Sequence, residues 1–281
     1  MRPFLFKKKS MQNIKLIVTD MDGTLLRSDH SLSPEFNKIY EELKENNITF
    51  VPASGRQYYS IISYFENIKD ELAIIAENGT YVTYKGEEIF VDELDWSIVK
   101  EIVEEVRKIE GANIVLAGKN AAYVESKDET FLEYFKNYYD KNIWVDDLTK
   151  IENEQFIKIA VNHADGTEFN VFPKLVDFEK YGLKVVVSSE VWLDVMNKKS
   201  NKGVALQALM NKLDISSEEI IVFGDFMNDL EMLHLAKYSF AMENAHQNVK
   251  EIANFKAPSN DEDGVIQVIK QYLQQLKTVN T

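Results

Sequence analysis

The sequence predicts an α/β protein whose core is a doubly wound, parallel sheet interrupted by an inserted α+β module. Three observations lead to this prediction. Short apolar, β-branched runs alternate with helical segments up to residue 76, the pattern then changes to hairpins and mixed elements, and the first pattern returns after Lys202. We therefore expect a core built from two separate stretches of the chain.

The first stretch alternates strands with helices, as a doubly wound sheet requires. Each strand is a short apolar run, which is typical of strands buried on both faces. The predicted elements are a strand at 14–19, a helix from Pro34 with Ser33 as its N-cap, a strand at 48–51, a helix at 57–68 and a strand at 72–76.

The inserted module begins with a hairpin signal, because strand-like segments at 81–84 and 88–91 flank the turn Lys85-Gly86. Its later segments mix both element types. Helices are predicted at 96–109, 129–139 and 167–180, and strands at 113–116, 121–124, 156–161, 183–187 and 191–195. We expect an N-terminal tail at 1–10, a core formed by 11–87 and 196–281, and an inserted domain at 88–195.

The second core stretch repeats the first pattern. It is predicted to contain a helix at 204–212, a strongly apolar strand at 220–223, a helix that begins near Asn228, and a closing amphipathic helix at 262–276.

Composition limits the classes of function. The chain has 45% hydrophobic and 28% charged residues, the balance of a folded globular protein. Its 46 acidic and 32 basic residues give a formal charge of -14, so a nucleic acid is not an expected partner. The chain contains no cysteine, as suits a reducing cytoplasm, and no apolar run long enough to span a membrane.

Asp20 and Asp22 follow the first predicted strand, at the sheet edge where α/β folds place ligands. In an extended chain these two carboxylates project to the same side, so one could attack phosphorus while the other handles protons. An anionic phosphate repels a carboxylate, so this chemistry requires a cation such as Mg²⁺. Gly23 would allow the tight turn and Thr24 would hold it, although Asp-x-Asp-Gly is also a common structural turn.

Ser54 and Gly55 follow the second predicted strand and should reach the same edge of the sheet. A hydroxyl and a backbone N–H at a helix start form a small anion site, and Arg56 could add charge. An ordinary strand-to-helix turn would explain the pair equally well.

Lys202 opens a predicted helix, where a cation is electrostatically unfavourable because the helix N-terminus is already positive. A partner anion would offset this cost, and the Asp20 region with its phosphate is a candidate. The alternative is a solvated surface lysine.

Asp225, Asn228 and Asp229 follow the most apolar strand of the chain. The two aspartates could ligate or orient a metal ion, and Asn228 could donate to a phosphate. All three would also serve as ordinary N-cap residues.

Together, these four segments resemble the four motifs of the haloacid dehalogenase superfamily: DxDGT, a Ser or Thr after the second strand, a Lys at a helix start, and GDxxND. The long insertion and the segments ENG at 77–79, NKGVAL at 201–206, GDFMNDLEML at 224–233 and AMENAH at 241–246 resemble the Cof-type subfamily IIB with a C2 cap. The resemblance covers nearly the whole chain from Met11. Ser54 replaces the commoner Thr, and Glu243 replaces a usual Gly.

The resemblance implies a Rossmann-like core, a mobile cap that closes over the substrate, and a role for each motif residue. Asp20 would be the nucleophile and Asp22 the general acid and base. Mg²⁺ would be held by Asp20, the backbone carbonyl of Asp22 and Asp225, with Asp229 as a ligand or a supporting residue. The phosphate would be bound by the backbone at Met21 and by Ser54, Gly55, Lys202 and Asn228.

The function implied is a cytoplasmic, Mg²⁺-dependent phosphatase acting on small phosphorylated metabolites, with sugar phosphates, pyridoxal 5'-phosphate and flavin mononucleotide as candidates. A monomer or a weak homodimer is expected, with neither nucleic acid nor membrane as a partner. Two alternatives stay open: a phosphomutase of the same superfamily, and a non-enzymatic module in which a phosphorylated aspartate serves signalling.

Overall fold

The computed structural model describes Met11 and residues 13–279, so the tail predicted at 1–10 lies outside the described residues. The chain divides into two compact units. Unit 1 contains the described chain up to Gly55, Tyr64–Ile89 and the chain from Asn201. Unit 2 contains Arg56–Ser63 and Phe90–Ser200. The predicted α/β fold class is confirmed, since unit 1 is built on a parallel sheet and unit 2 is a mixed module.

The strands in chain order are β1 (Leu16–Thr19), β2 (Thr49–Pro52), β3 (Ala73–Ala76), β4 (Tyr81–Tyr84), β5 (Glu87–Val91), β6 (Ala112–Gly118), β7 (Ala122–Val124), β8 (Asn142–Trp144), β9 (Phe156–His163), β10 (Leu183–Ser189), β11 (Trp192–Asn197), β12 (Ile220–Gly224), β13 (Tyr238–Met242) and β14 (Phe255–Ala257). The α-helices are α1 (Phe36–Glu45), α2 (Tyr58–Ile62), α3 (Trp96–Val106), α4 (Glu129–Phe135), α5 (Thr167–Asn170), α6 (Phe172–Leu175), α7 (Lys202–Leu213), α8 (Leu230–Leu235), α9 (Gln247–Ile252) and α10 (Gly264–Val279).

The core sheet of unit 1 has five parallel strands in the order β14-β13-β12-β1-β2. Every residue of β1, β12 and β13 is buried, which explains why these strands are continuous apolar runs without alternation. In the register, Thr19 lies beside Phe223 of β12 and beside Pro52 of β2. The residues that follow β1, β2 and β12 therefore leave the sheet at one edge.

The first helix begins later than the sequence predicts. It starts at Phe36 and buries Phe36, Ile39, Tyr40 and Leu43, with Glu35 rather than Ser33 in the N-cap position. The Ser33 hydroxyl instead donates to Asp263, 2.9 Å away. The same hydroxyl also accepts the N–H of Glu35 at 3.4 Å, so Ser33 holds the turn that precedes α1, although it is not the N-cap of the helix.

β3 belongs to a small sheet rather than to the parallel one. It pairs antiparallel with β4 in a three-stranded sheet of order β3-β4-β5, and a single parallel bridge joins Ala53 to Ile75. The hairpin that follows residue 80 thus extends unit 1 as far as Ile89.

Unit 2 contains a six-stranded sheet of order β10-β11-β9-β6-β7-β8, antiparallel except for the β7–β8 pair. Alternate residues of β6 serve two cores, as a period of two requires. Ile114 and Leu116 pack in the cluster that includes α3 and α6, whereas Val115 and Ala117 pack in the cluster that includes α4. The predicted helix at 167–180 is broken into α5, α6 and a 3-10 turn.

No helix in the described part of the chain is both long and apolar enough to cross a membrane.

Candidate active site

Asp20 leaves the sheet at the end of β1 and lies in a tight turn. Its side chain is buried, and its backbone N–H donates to the carbonyl of Phe223 at 3.1 Å. The carbonyl of Met21 accepts from the N–H groups of Thr24 and Leu26 at 3.3 and 2.8 Å. The chain after Asp20 is therefore turned rather than extended, so the extended-chain argument for the two carboxylates is wrong.

Asp22 consequently lies in different surroundings from Asp20. Its side chain is 43% exposed, and one carboxylate oxygen lies 3.3 Å from Nδ1 of His30. Asp20, in contrast, is buried at the end of β1. The two carboxylates therefore have separate environments, a necessary condition for separate chemical roles.

Lys202 is buried and opens α7, with the Asn201 side chain accepting the N–H of Val204 as N-cap. Its ammonium lies 2.5 Å from Asp20 and 2.7 Å from Asp229. Burial lowers the pKa of Lys202, but the attraction of both carboxylates outweighs it and raises the pKa above its ordinary value. Lys202 is thus a charged cation between two carboxylates, as the sequence argument about its partner anion expects.

Asp229 shapes the turn after β12 as well as binding Lys202. One of its oxygens accepts the N–H groups of Asp225 and Phe226 at 2.9 and 3.1 Å, while the other accepts from Lys202. A Cβ on Gly224 would lie 2.6 Å from the Cβ of Asp229, so this turn requires glycine. Both carboxylate oxygens of Asp229 are therefore occupied by protein donors.

Asp225 is held by the first motif. Thr24 donates its hydroxyl to Asp225 Oδ1 at 2.7 Å. Gly23 has a φ of +77°, and a Cβ there would lie 2.5 Å from Asp225 Oδ2. The Asn244 amide fixes the same turn by donating to the carbonyl of Gly23 at 2.7 Å. Thr24 was predicted only to hold its own turn, and neither its contact with Asp225 nor the bond from Asn244 was predicted from the sequence.

Asp20, Asp225 and Asp229, here called the acidic cluster, each offer one oxygen within 4.8 Å of the others. Burial raises the pKa of Asp20 well above its ordinary value against the attraction of Lys202, and Asp229 and Asp225 raise it further. Burial also raises the pKa of Asp225 to about 6. Three carboxylates facing one ammonium leave two negative charges uncompensated when all are ionised, a donor set that fits a hard divalent cation.

The second motif lies at the end of β2. Ser54 is buried and its N–H donates to the carbonyl of Ile75 at 2.9 Å. A Cβ on the next residue, Gly55, would lie 3.0 to 3.1 Å from the side-chain amide of Asn78. Asn228, exposed after β12, donates to Asn78 Oδ1 at 3.0 Å. Asn78 therefore contacts two predicted phosphate-binding segments, although the sequence assigned it no role.

Comparisons with known proteins agree with this geometry. The family described as haloacid dehalogenase-like hydrolase matches residues 17–269. A 5-amino-6-(5-phospho-D-ribitylamino)uracil phosphatase of Escherichia coli K12 is 35% identical over 93% of this chain and 97% of its own. A haloacid dehalogenase-like hydrolase from Bacteroides thetaiotaomicron has a TM-score of 0.84 at 25% identity, covering 92% of this chain and 99% of the other. The subclass IIB sugar phosphatase BT4131 shares the fold, with a TM-score of 0.74 at 22% identity over 92% and 98%.

Proposed function

The chain belongs to the haloacid dehalogenase-like hydrolases and is a phosphatase. From this premise we propose that it is of the Cof-type subfamily IIB with a C2 cap and that it hydrolyses small phosphomonoesters through an aspartyl-phosphate on Asp20. The observation that carries the proposal is the ion-paired acidic cluster at one edge of the parallel sheet. Lys202 binds Asp20 and Asp229 there, while Thr24 holds Asp225.

The proposed nucleophile is the Asp20 carboxylate. One of its oxygens forms a bond to phosphorus while the bond from phosphorus to the ester oxygen breaks, and the electron pair leaves with that oxygen. Lys202 fixes the orientation of Asp20 by its 2.5 Å contact. Burial raises the pKa of Asp20, and the attraction of Lys202 acts against this shift, in favour of the ionised form that attack requires.

Asp22 is the proposed proton carrier. It would give a proton to the departing alkoxide and later take one from the water that attacks the aspartyl-phosphate, which releases phosphate and restores Asp20. Its half-exposed side chain, 3.3 Å from His30, is compatible with proton exchange with solvent. The different surroundings of Asp20 and Asp22 thus support the division of roles that the sequence predicts, with attack by Asp20 and proton transfer by Asp22.

Mg²⁺ is the proposed cofactor. Asp20, Asp225 and the backbone carbonyl of Asp22 would hold it, where the acidic cluster leaves two negative charges uncompensated. When bound, the ion would screen the charge of Asp20 from the incoming phosphate and polarise the phosphoryl oxygens. Asp229 would orient Lys202 and the turn at Asp225 rather than contact the ion, because both its oxygens accept protein hydrogen bonds.

The phosphate would be bound by five groups that follow strands of the core sheet or open α7. These are the backbone at Met21, Ser54, Gly55, Lys202 and Asn228. Their placement supports this proposal, because β1, β2 and β12 end at one edge of the sheet and α7 delivers Lys202 to Asp20. Cationic and N–H donors at that edge would stabilise the charge of the transferring phosphoryl group.

The first substrate to test is 5-amino-6-(5-phospho-D-ribitylamino)uracil, because the Escherichia coli relative that is 35% identical over nearly the full length of both chains is named as a phosphatase of this compound. Sugar phosphates, pyridoxal 5'-phosphate and flavin mononucleotide complete the panel. A cytoplasmic location and a monomer or weak homodimer stay predictions. The non-enzymatic alternative is wrong, because the family and its relatives are hydrolases and phosphatases.

The test is phosphate release from this panel with Mg²⁺ and with a chelator, comparing the wild type with Asp20→Asn. We expect Asp20→Asn to lower the rate on the order of a thousandfold, because the substituted amide is a poor nucleophile. Asp146→Asn is the matched control, since Asp146 is an exposed aspartate outside the acidic cluster. It should retain wild-type rates.

Two outcomes would contradict the mechanism: turnover that is unaffected by the chelator, or full activity in Asp20→Asn. The phosphomutase alternative is tested in the same assay by adding an acceptor sugar. Phosphate that appears on the sugar instead of in water would favour the mutase.

A further inference from the structure

The turn that follows β3 has an unusual backbone. Glu77, Asn78 and Gly79 have φ angles of +49°, +54° and +95°, three successive residues in the left-handed region. Asparagine and glycine tolerate this region, but glutamate rarely adopts it. The side chain of Glu77 is nevertheless 1% exposed. Surrounding contacts must therefore hold the turn in this conformation.

The turn contacts the second phosphate-binding segment through Asn78. The N–H of Asn78 donates to the carbonyl of Ser54 at 3.0 Å. The side-chain amide of Asn78 lies so close to Gly55 that a Cβ there would be 3.0 Å from Oδ1 and 3.1 Å from Nδ2. The Asn78 amide can therefore lie at this position only because Gly55 has no side chain.

The same amide reaches the fourth segment. Asn78 Oδ1 accepts from Nδ2 of Asn228 at 3.0 Å, across 150 positions of sequence. A side-chain amide nitrogen has two hydrogens in one plane. The bond from one hydrogen to Asn78 restricts the orientation of the Asn228 amide and hence the directions open to its second hydrogen.

Gly79 brings the turn against the third segment. A Cβ on Gly79 would lie 2.3 Å from the carbonyl oxygen of Asn201 and 3.0 Å from the backbone nitrogen of Lys202. The turn therefore abuts the first residues of α7, which position Lys202. Three of the four segments that the proposed function assigns to phosphate binding meet this one turn.

We propose that Asn78 is a positioning residue of the phosphate site, which orients the Asn228 amide and holds the Ser54–Gly55 backbone so that both donate to the phosphate group of the substrate. The proposal rests on the proposed function, in that Asn228 must contact phosphate. A purely structural role predicts a loss of stability without a specific loss of phosphate binding. A positioning role predicts the reverse.

The key variant is Asn78→Gly, because glycine accepts a φ of +54° and removes only the side chain. Asn47→Gly is its matched control: Asn47 is also an asparagine of unit 1 with a φ of +57°, and it is exposed. The probes are p-nitrophenyl phosphate as substrate and inorganic phosphate as competitive inhibitor, both in Mg²⁺. Thermal unfolding of each variant reports on the fold.

We expect Asn78→Gly to raise the KM for p-nitrophenyl phosphate and the inhibition constant of phosphate by about tenfold, the scale of one lost hydrogen bond in a charged site. The kcat should change less. Asn47→Gly should stay within about twofold of the wild type in both constants. Equal constants in the two glycine variants would overturn the proposal.

A double-mutant cycle tests whether Asn78 acts through Asn228. Asn228→Ala should raise both constants in the wild type but add no more than about twofold in the Asn78→Gly background. In Asn78→Asp, which keeps the acceptor oxygen, Asn228→Ala should cost as much as in the wild type. This second background decides the question if Asn78→Gly unfolds at a lower temperature.

If the fold-increases in KM caused by Asn78→Gly and by Asn228→Ala multiply in the double variant, the two residues act independently. That result would overturn the proposed coupling, while Asn228 would keep its role in the phosphate site. If Asn228→Ala alone leaves KM and the phosphate inhibition constant unchanged, the proposed role of Asn228 fails, and the positioning role of Asn78 fails with it.

Discussion

Lys202 is the residue on which the electrostatics of the site depend most. A buried ammonium loses its hydration, and only the attraction of close carboxylates offsets this unfavourable free energy. Lys202 has two such partners, Asp20 at 2.5 Å and Asp229 at 2.7 Å. The same contacts reduce the repulsion among the three carboxylates of the acidic cluster. Lys202 therefore stabilises the fold and also holds these carboxylates close together in the site.

Lys202→Met should therefore affect both stability and activity. Methionine has a similar length but no charge, so Asp20 and Asp229 are left buried without their cation. We expect a loss of about 3–5 kcal/mol in the free energy of unfolding and a fall of at least about a hundredfold in kcat/KM. Denaturant unfolding and steady-state kinetics measure the two effects.

Lys212→Met is the control for this substitution, because Lys212 is exposed in the last turn of the same helix. It should leave both quantities near wild-type values. If Lys202→Met has the same free energy of unfolding as the wild type, the ion pairs of Lys202 do not stabilise the fold.

At the scale of single residues, the sequence predicted the principal charged groups but not their supports. Lys202 was identifiable because a cation at a helix start needs an anion nearby. The contact of Thr24 with Asp225 and the roles of Asn78 and Asn244 were not, because each of the three acts on a partner about 150 to 220 positions away. A side chain's distant partner depends on packing, which no local pattern encodes.

At the scale of elements, the site depends on tight turns that leave parallel strands. The turn after β1 must bring Gly23 against the Asp225 side chain from the turn after β12. Local apolar runs predicted β1, β2 and β12 well because these strands are buried on both faces. The local pattern did not predict β8, whose three residues are all exposed, nor did it predict β13 and β14, which lie between the last two predicted helices.

Gly23→Ala should disturb the metal site through a steric contact. The added Cβ would lie 2.5 Å from Asp225 Oδ2, so the carboxylate must move. We expect the Mg²⁺ concentration for half-maximal activity to rise about tenfold or more, since a ligand displaced by even a fraction of an ångström binds a hard ion poorly. Activity titrated against Mg²⁺ measures this shift.

Gly182→Ala separates the steric effect from backbone strain. Gly182 has a φ of +81°, close to the +77° of Gly23, but a Cβ there would meet nothing within 4 Å. Both variants carry the cost of a left-handed alanine, about 1 kcal/mol. If the two variants show the same Mg²⁺ dependence, the contact with Asp225 is unimportant.

At the scale of the whole molecule, the catalytic groups come from distant parts of the chain. Asp20 and Lys202 are 182 positions apart, and their contact joins two stretches of unit 1 that segments of unit 2 separate in the sequence. Periodicity predicted this interrupted organisation because the same strand-helix pattern stops and resumes. It could not predict that the hairpin after residue 80 joins β3, because an antiparallel neighbour and a new module have the same local signature.

The stability of the fold towards acid should depend on an ion-pair network in unit 2. Arg107, the residue directly after α3, binds Glu125 at 2.5 Å and Asp147 at 2.8 Å, and Glu125 also accepts the N–H of Leu148. Hydrogen bonds from Arg107, Thr149 and Lys150 hold the pKa of Asp147 well below its ordinary value. Burial acts to raise the pKa of Glu125, but its bonds to Arg107 and Leu148 outweigh burial and lower it.

A lowered carboxylate pKa contributes stability that is fully present above the unfolded value, about 4, and is lost as the pH falls through the folded value. Arg107→Met should therefore lower the melting temperature at pH 7 by about 2–4 °C, and this difference should shrink as the pH falls below about 4. Melting curves from pH 7 to pH 3 measure this difference.

Lys108→Met is the control. It removes an exposed ion pair with Glu105 and should change the melting temperature little at any pH. A difference between wild type and Arg107→Met that is independent of pH would mean that Arg107 acts by packing alone.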